Sequence, residues 1–135
     1  MEALCLLFDR GDIELLDGSQ KALKVAEKEN VGALHCCLLH EFRADYSQYA
    51  LVLGVWALCY LRRGDTDRFL LDASNAETLI FIEPIKKASD GNPEIEEWGP
   101  REAQQMVLRE ESYYTKLFME AGLEVLFKRG FGAVM

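Results

Sequence analysis

Metal-ligating and bridging residues are scarce in this 135-residue chain: there are two histidines, His35 and His40, and four cysteines, Cys5, Cys36, Cys37 and Cys59, with no CxxC spacing among them. Such a set indicates neither a zinc framework nor a disulfide scaffold, and the thiols read as reduced side chains packed as small hydrophobes. No window approaches the ~18 uninterrupted apolar residues of a membrane span. The start, Met1-Glu2-Ala3-Leu4-Cys5-Leu6-Leu7-Phe8-Asp9, lacks the basic opening and small-residue cleavage site of a secretory signal. The expectation is an intracellular protein, cytoplasmic or nuclear, with no membrane partner. Positive charge is also short, 15 Lys and Arg against 23 Asp and Glu, for a net charge of -8. That balance argues against nucleic-acid backbones and suits a basic partner such as a Lys/Arg-rich peptide. GxSxG, HExxH, P-loop and EF-hand patterns are absent, as is the glycine-rich turn expected after the first strand of a nucleotide-binding sheet.

What is present is an ordinary globular composition, 50% hydrophobic and 28% charged. A chain of this length buries roughly two-thirds of its unfolded surface, enough for one domain over residues 1–135 without a metal or disulfide staple. Short apolar runs alternate with amphipathic ones. Asp12 to Leu16 reads as a strand, Ser19 to Glu29 as a helix capped by Ser19 with Leu23, Val25 and Ala26 inward, and Ala33 to Leu38 as a second strand. Tyr49 to Leu53 and Thr78 to Ile82 are continuous apolar runs, which suits strands buried on both faces, with a helix between them near Thr66 to Ala73. Lys86 to Pro100, with Pro93 and Pro100 around Glu94-Ile95-Glu96-Glu97, reads as a long loop, either a lid or a solvated connector. Glu102 to Ala121 reads as the longest helix, ended by Gly122, with a last strand at Glu124 to Phe127. The alternation predicts an α/β fold: a mostly parallel sheet with helices on both faces.

Open sheets of this class bind ligands outside the carboxyl ends of their strands. Asp17, followed by Gly18 and Ser19, is either a ribose-binding acid or a residue that opens the helix. His40, in Leu39-His40-Glu41-Phe42, either lies over an adenine or ends its strand. Trp56 and Tyr60 are four apart, so on a helical turn they share a face, at the crevice or in the core.

Three segments together resemble consecutive motifs of the alpha-N-terminal protein methyltransferases: Leu15-Leu16-Asp17-Gly18-Ser19, Cys36-Cys37-Leu38-Leu39-His40-Glu41-Phe42, and Tyr49 through Leu61 with its Val55-Trp56 pair. Arg109-Glu110-Glu111-Ser112-Tyr113-Tyr114 through Leu117-Phe118-Met119-Glu120-Ala121-Gly122-Leu123 resembles the family's closing helix. The likeness runs from Asp12 to about Leu126. It implies a class I methyltransferase fold, Rossmann-like, with S-adenosylmethionine as cofactor and the α-amino group of Xaa-Pro-Lys protein N-termini as acceptor. By position, Asp17 would hold the ribose, Leu39 and His40 the adenine, and Val55 the cofactor side of the junction. Trp56, Tyr60 and Glu83 would meet a basic N-terminal tail. The family's first strand and Gly-x-Gly turn are missing from this chain. Val55 replaces a Gln, Tyr60 a His and Pro84 an Asn, and Gln104 stands where the family has its catalytic Asp, with Glu102 and Glu110 nearby. Loss of these parts keeps a second class open, a methyltransferase-like fragment or subunit that acts by binding protein, completed by a partner chain.

Overall fold

A computed structural model describes residues 7–87, 94–98 and 105–130. The chain divides into two compact units, Met1–Ala44 and Asp45–Met135.

In the first unit, β1 (Glu14–Asp17) pairs in parallel with β2 (Ala33–Cys36), in register from Glu14↔Ala33 to Asp17↔Cys36. Parallel strands need a crossover, and α1 (Gln20–Ala26) supplies it. Ser19 starts the helix as expected: its Oγ accepts the Ala22 N–H at 3.2 Å, satisfying one of the donors a helix leaves open at its first turn. Leu23 is buried, but Val25, two residues on and so on the opposite side of so short a helix, is exposed. A 3-10 turn, Glu27–Glu29, follows and stops at Asn30 in the left-handed region, φ 54°. Gly32 lies against the Gly11 carbonyl, where any Cβ would overlap backbone oxygen.

In the second unit, β3 (Leu51–Val55), α2 (Arg63–Ala73) and β4 (Thr78–Ile82) form a βαβ unit with parallel register Leu51↔Thr78 through Val55↔Ile82. One face of this pair carries an aromatic core. The Phe81 ring stacks on Phe118 at 5.8 Å and meets Phe69 edge-on at 6.2 Å, and Phe69 in turn meets Tyr46 at 5.8 Å. Gly54 lies opposite Phe81, and a Cβ there would come 2.6 Å from Cδ1 of that ring. Because Phe81 is held between two other rings it has little room to yield. Gly54→Ala is therefore expected to destabilise the protein by about 1–3 kcal/mol, visible as a lower urea midpoint; an unchanged midpoint would contradict this packing.

A third sheet has the order β5-β7-β6, from β5 (Ile85–Lys86), β6 (Glu94–Trp98) and β7 (Gln105–Glu110). β5 is parallel to β7 and β6 antiparallel to it. Helix α3 (Glu111–Glu120) ends in a Schellman arrangement: Gly122 sits at φ 82°, its N–H reaching the Met119 carbonyl at 3.0 Å, and the Leu123 N–H reaches Phe118 at 2.9 Å. No helix among the described residues is long and apolar enough to cross a membrane.

Several sequence-based expectations are corrected. Residues 105–110, expected within a long helix, are a strand, with Val107 and Arg109 buried at a period of two; the helix begins only at Glu111. Residues 94–98, expected in a loop, pair with β7; residues 88–93 and 99–104 lie outside the described residues. Glu124 to Phe127 forms no strand, and Leu126 and Phe127 are exposed. β3 and β4 are covered on one face only: Leu53, Val55, Ile80 and Ile82 are 41%, 60%, 46% and 43% exposed. An apolar run marks a strand, but which of its faces is covered depends on what else packs there.

Candidate functional site

In each unit the parallel register brings the carboxyl ends of a strand pair side by side, which is where the fold class places ligands. In the first unit, Asp17 is the last residue of β1 and is exposed. Its Oδ1 accepts the Ser19 N–H at 2.8 Å, an Asx turn that fixes the carboxylate at the strand end. Oδ2 makes no hydrogen bond among the described residues, so it is available to a ligand hydroxyl. Asp17 thus opens the helix through one oxygen, and the other stands exposed at the strand end. Leu39 and His40 follow β2 on a turn closed by Glu41 N–H to Leu38 O at 2.9 Å, and both are half-buried. The His40 carbonyl accepts from Arg43 at 2.9 Å, and its Nε2 lies 3.8 Å from Glu41 Oε1.

In the second unit, Val55 ends β3 and is exposed. Trp56 comes next, and its backbone is the unusual feature of the site: φ is 49°, in the left-handed region that a bulky residue enters at roughly 1–2 kcal/mol. Its N–H still bonds strand β4, to Ile82 O at 2.8 Å, as if β3 continued. The chain then turns sharply into the 3-10 turn Leu58–Tyr60. Trp56 and Tyr60 are thus not on one helical turn; they flank a reversal, 50% and 39% exposed.

Two charged side chains hold this reversal. Glu83, just past β4, accepts the N–H groups of Ala57 at 2.9 Å and Leu58 at 2.8 Å on Oε1, and that of Cys59 at 3.1 Å on Oε2. With the Cys59 thiol also bonded to it, the roughly four acceptor directions of the carboxylate are taken. Arg109, from β7, donates from Nη1 to Leu58 O at 3.0 Å and from Nη2 to Leu61 O at 2.8 Å, and its guanidinium lies 5.7 Å from the Tyr114 ring centre. The Arg109 side chain is fully buried. Burial raises the Glu83 pKa, against the pull of the three N–H donors. Burial, aided by the Glu83 charge, pushes the Cys59 thiol up to about 12, and burial likewise pushes Tyr114 up to about 12. Cys59 is therefore a neutral packing group rather than a nucleophile.

The sequence reading placed Glu83 at a substrate and did not foresee its bonds to the chain. Nor did it assign Arg109 a partner, although a single Arg following Met106-Val107-Leu108 was the available signal: a guanidinium in an apolar strand must find acceptors. Glu110 has Oε1 3.6 Å from Lys86 Nζ. Glu102 and Gln104 lie outside the described residues. Among the described residues no group of His, Cys, Asp and Glu is placed to hold a metal ion.

No family model matches the chain, and no curated protein matches it. Among solved structures, it is similar to a SAM-dependent methyltransferase of the DUF858 family from Leishmania major, with a TM-score of 0.69 and 20% identity. The match covers 90% of this chain and 50% of that one, so the chain spans about half the neighbour's length. The fold is class I methyltransferase-like, a mixed α/β arrangement in which every strand pairing but β6 with β7 is parallel.

Proposed function

We propose that this chain binds S-adenosylmethionine and serves the methylation of α-amino groups at protein N-termini of the Xaa-Pro-Lys type. The observation that carries the reading is the equipment of the strand ends: a fixed, half-satisfied carboxylate at Asp17 in one unit, and a clamped, exposed Trp56 in the other. The likeness in fold to a SAM-dependent methyltransferase supports it, as do the motif resemblance and the net charge of -8, which favours a basic tail.

The residues fit the cofactor's nucleoside. Asp17 Oδ2 would accept from a ribose hydroxyl while Oδ1 stays anchored, and the half-buried Leu39 and His40 would flank the adenine. In the second unit, Trp56 and Tyr60 would meet the peptide, where aromatic walls hold a chain end and exclude water. When bound, the cofactor supplies an electrophilic methyl group. The amine must be neutral to attack it, so a proton acceptor is required. Glu83, whose carboxylate takes the Cys59 thiol beside the three backbone N–H groups, would meet an incoming cation through its charge.

The test is calorimetric titration with S-adenosylhomocysteine, wild type beside Asp17→Ala. Loss of a charge-assisted hydrogen bond is expected to weaken binding by about 10- to 100-fold. Xaa-Pro-Lys peptides with free and with acetylated N-termini then serve as acceptors, read by mass spectrometry. Methylation confined to the free amine supports the proposal. Absence of cofactor binding by the folded chain overturns it and leaves the second class, a methyltransferase-like subunit that binds protein.

A further inference from the structure

Successive N–H groups of a turn converge on one anion in a backbone concavity known as a nest. Residues 57–59, reached through the reversal at Trp56, have this form. Trp56 is left-handed at φ 49°, Ala57 is right-handed at φ -99° and ψ -49°, and the N–H groups of residues 57, 58 and 59 all point at the Glu83 carboxylate. The anion in this nest belongs to the chain itself. Arg109 completes the arrangement from the other side of the same segment, taking the carbonyls of Leu58 and Leu61. Acceptor and donor thus grip one short reversal whose first residue is the exposed tryptophan.

We propose that Glu83 is a positioning residue: by filling the nest as an anion it holds Trp56 in its left-handed conformation, and so sets where the indole stands for a bound peptide. The physical reasoning is local. Trp56 N–H is bound to Ile82 O and Ala57 N–H to Glu83 Oε1, so two adjacent donors must face different acceptors across one peptide unit. Residue 56 satisfies both only by reversing the chain. Without the carboxylate three N–H groups lose their acceptor and the left-handed state loses its support. Residue 56 then relaxes towards the extended or right-handed regions, and the indole moves. The claim about the peptide rests on the function proposed above; the claim about the conformation of Trp56 does not.

The experiment labels the full chain with 5-fluorotryptophan in a Trp98→Phe background, which leaves Trp56 as the single reporter. The fluorine resonance is compared in the parent, Glu83→Ala and Glu83→Gln, with Leu70→Ala on α2 as a destabilised control that leaves the Glu83 carboxylate in place. In Glu83→Ala the resonance is expected to shift or broaden, and acetate, but not chloride, to restore it saturably by entering the empty nest. Glu83→Gln keeps one acceptor oxygen but turns an NH2 group towards an N–H donor, so its resonance shifts and acetate does not rescue it. Leu70→Ala keeps the parent resonance in its folded fraction. If Glu83→Ala does not fold, recovery of folding by acetate supports the proposal equally. An unmoved resonance in folded Glu83→Ala or in Glu83→Gln overturns it, as does equal rescue by chloride. A shift in both variants, in a protein that binds no peptide, would uphold the positioning role and sink the proposed function instead.

Discussion

Arg109→Met is expected to lower the stability of the protein by about 3–6 kcal/mol, because it removes two hydrogen bonds from a buried charged donor, each worth about 1.5–3 kcal/mol. The acceptors are Leu58 O and Leu61 O, which would keep only the Leu61 N–H at 3.0 Å and a long bond from Thr66 Oγ1 at 3.4 Å, respectively. Methionine keeps much of the stem and removes the charge, so the loss reports the two missing hydrogen bonds rather than a stranded ion. Arg109→Lys is the sharper control. A lysine keeps the charge, yet a single ammonium does not reproduce the planar spread of donors that reaches two carbonyls three residues apart. It is expected to recover less than half of the loss. Equilibrium urea unfolding measures both; a lysine variant as stable as wild type would show that charge, not geometry, is what the site needs.

Leu70→Ala is expected to lose about 3–5 kcal/mol and Leu71→Ala to stay within about 0.5 kcal/mol of wild type. These neighbours are identical in type and in local helix propensity, so the difference isolates packing. Leu70 is 0% exposed on α2, beside Phe69 and its ring contacts, whereas Leu71 is 56% exposed. Set against a total stability of about 5–15 kcal/mol for a domain of this size, the first substitution removes a large share. Equal midpoints for the two variants would mean that the helix does not present the face described.

Much of this was legible in the chain. Ser19 as a helix cap, Gly122 as the left-handed stop of α3, and the strands at residues 14–17, 33–36 and 78–82 follow from local chemistry: a side-chain oxygen for an open N–H, a residue without Cβ at positive φ, and runs of β-branched and apolar residues. Residues 105–110 did not. Met106-Val107-Leu108 suits either period over so short a stretch, and only the pairing of β7 with β5 and β6 makes it a strand.

The sequence by itself determined the class of fold, the order of most elements and the strand ends at which a ligand site could lie. Each of those depends on contacts between near neighbours along the chain, which periodicity and capping encode. Tertiary structure decided the covered face of β3 and β4, the left-handed turn at Trp56, and the work of Glu83 and Arg109. These last two reach backbone groups 24 to 26 and 48 to 51 positions away. No local pattern announces such a partner, since a carboxylate or guanidinium is satisfied by whichever backbone groups the packed chain brings to it.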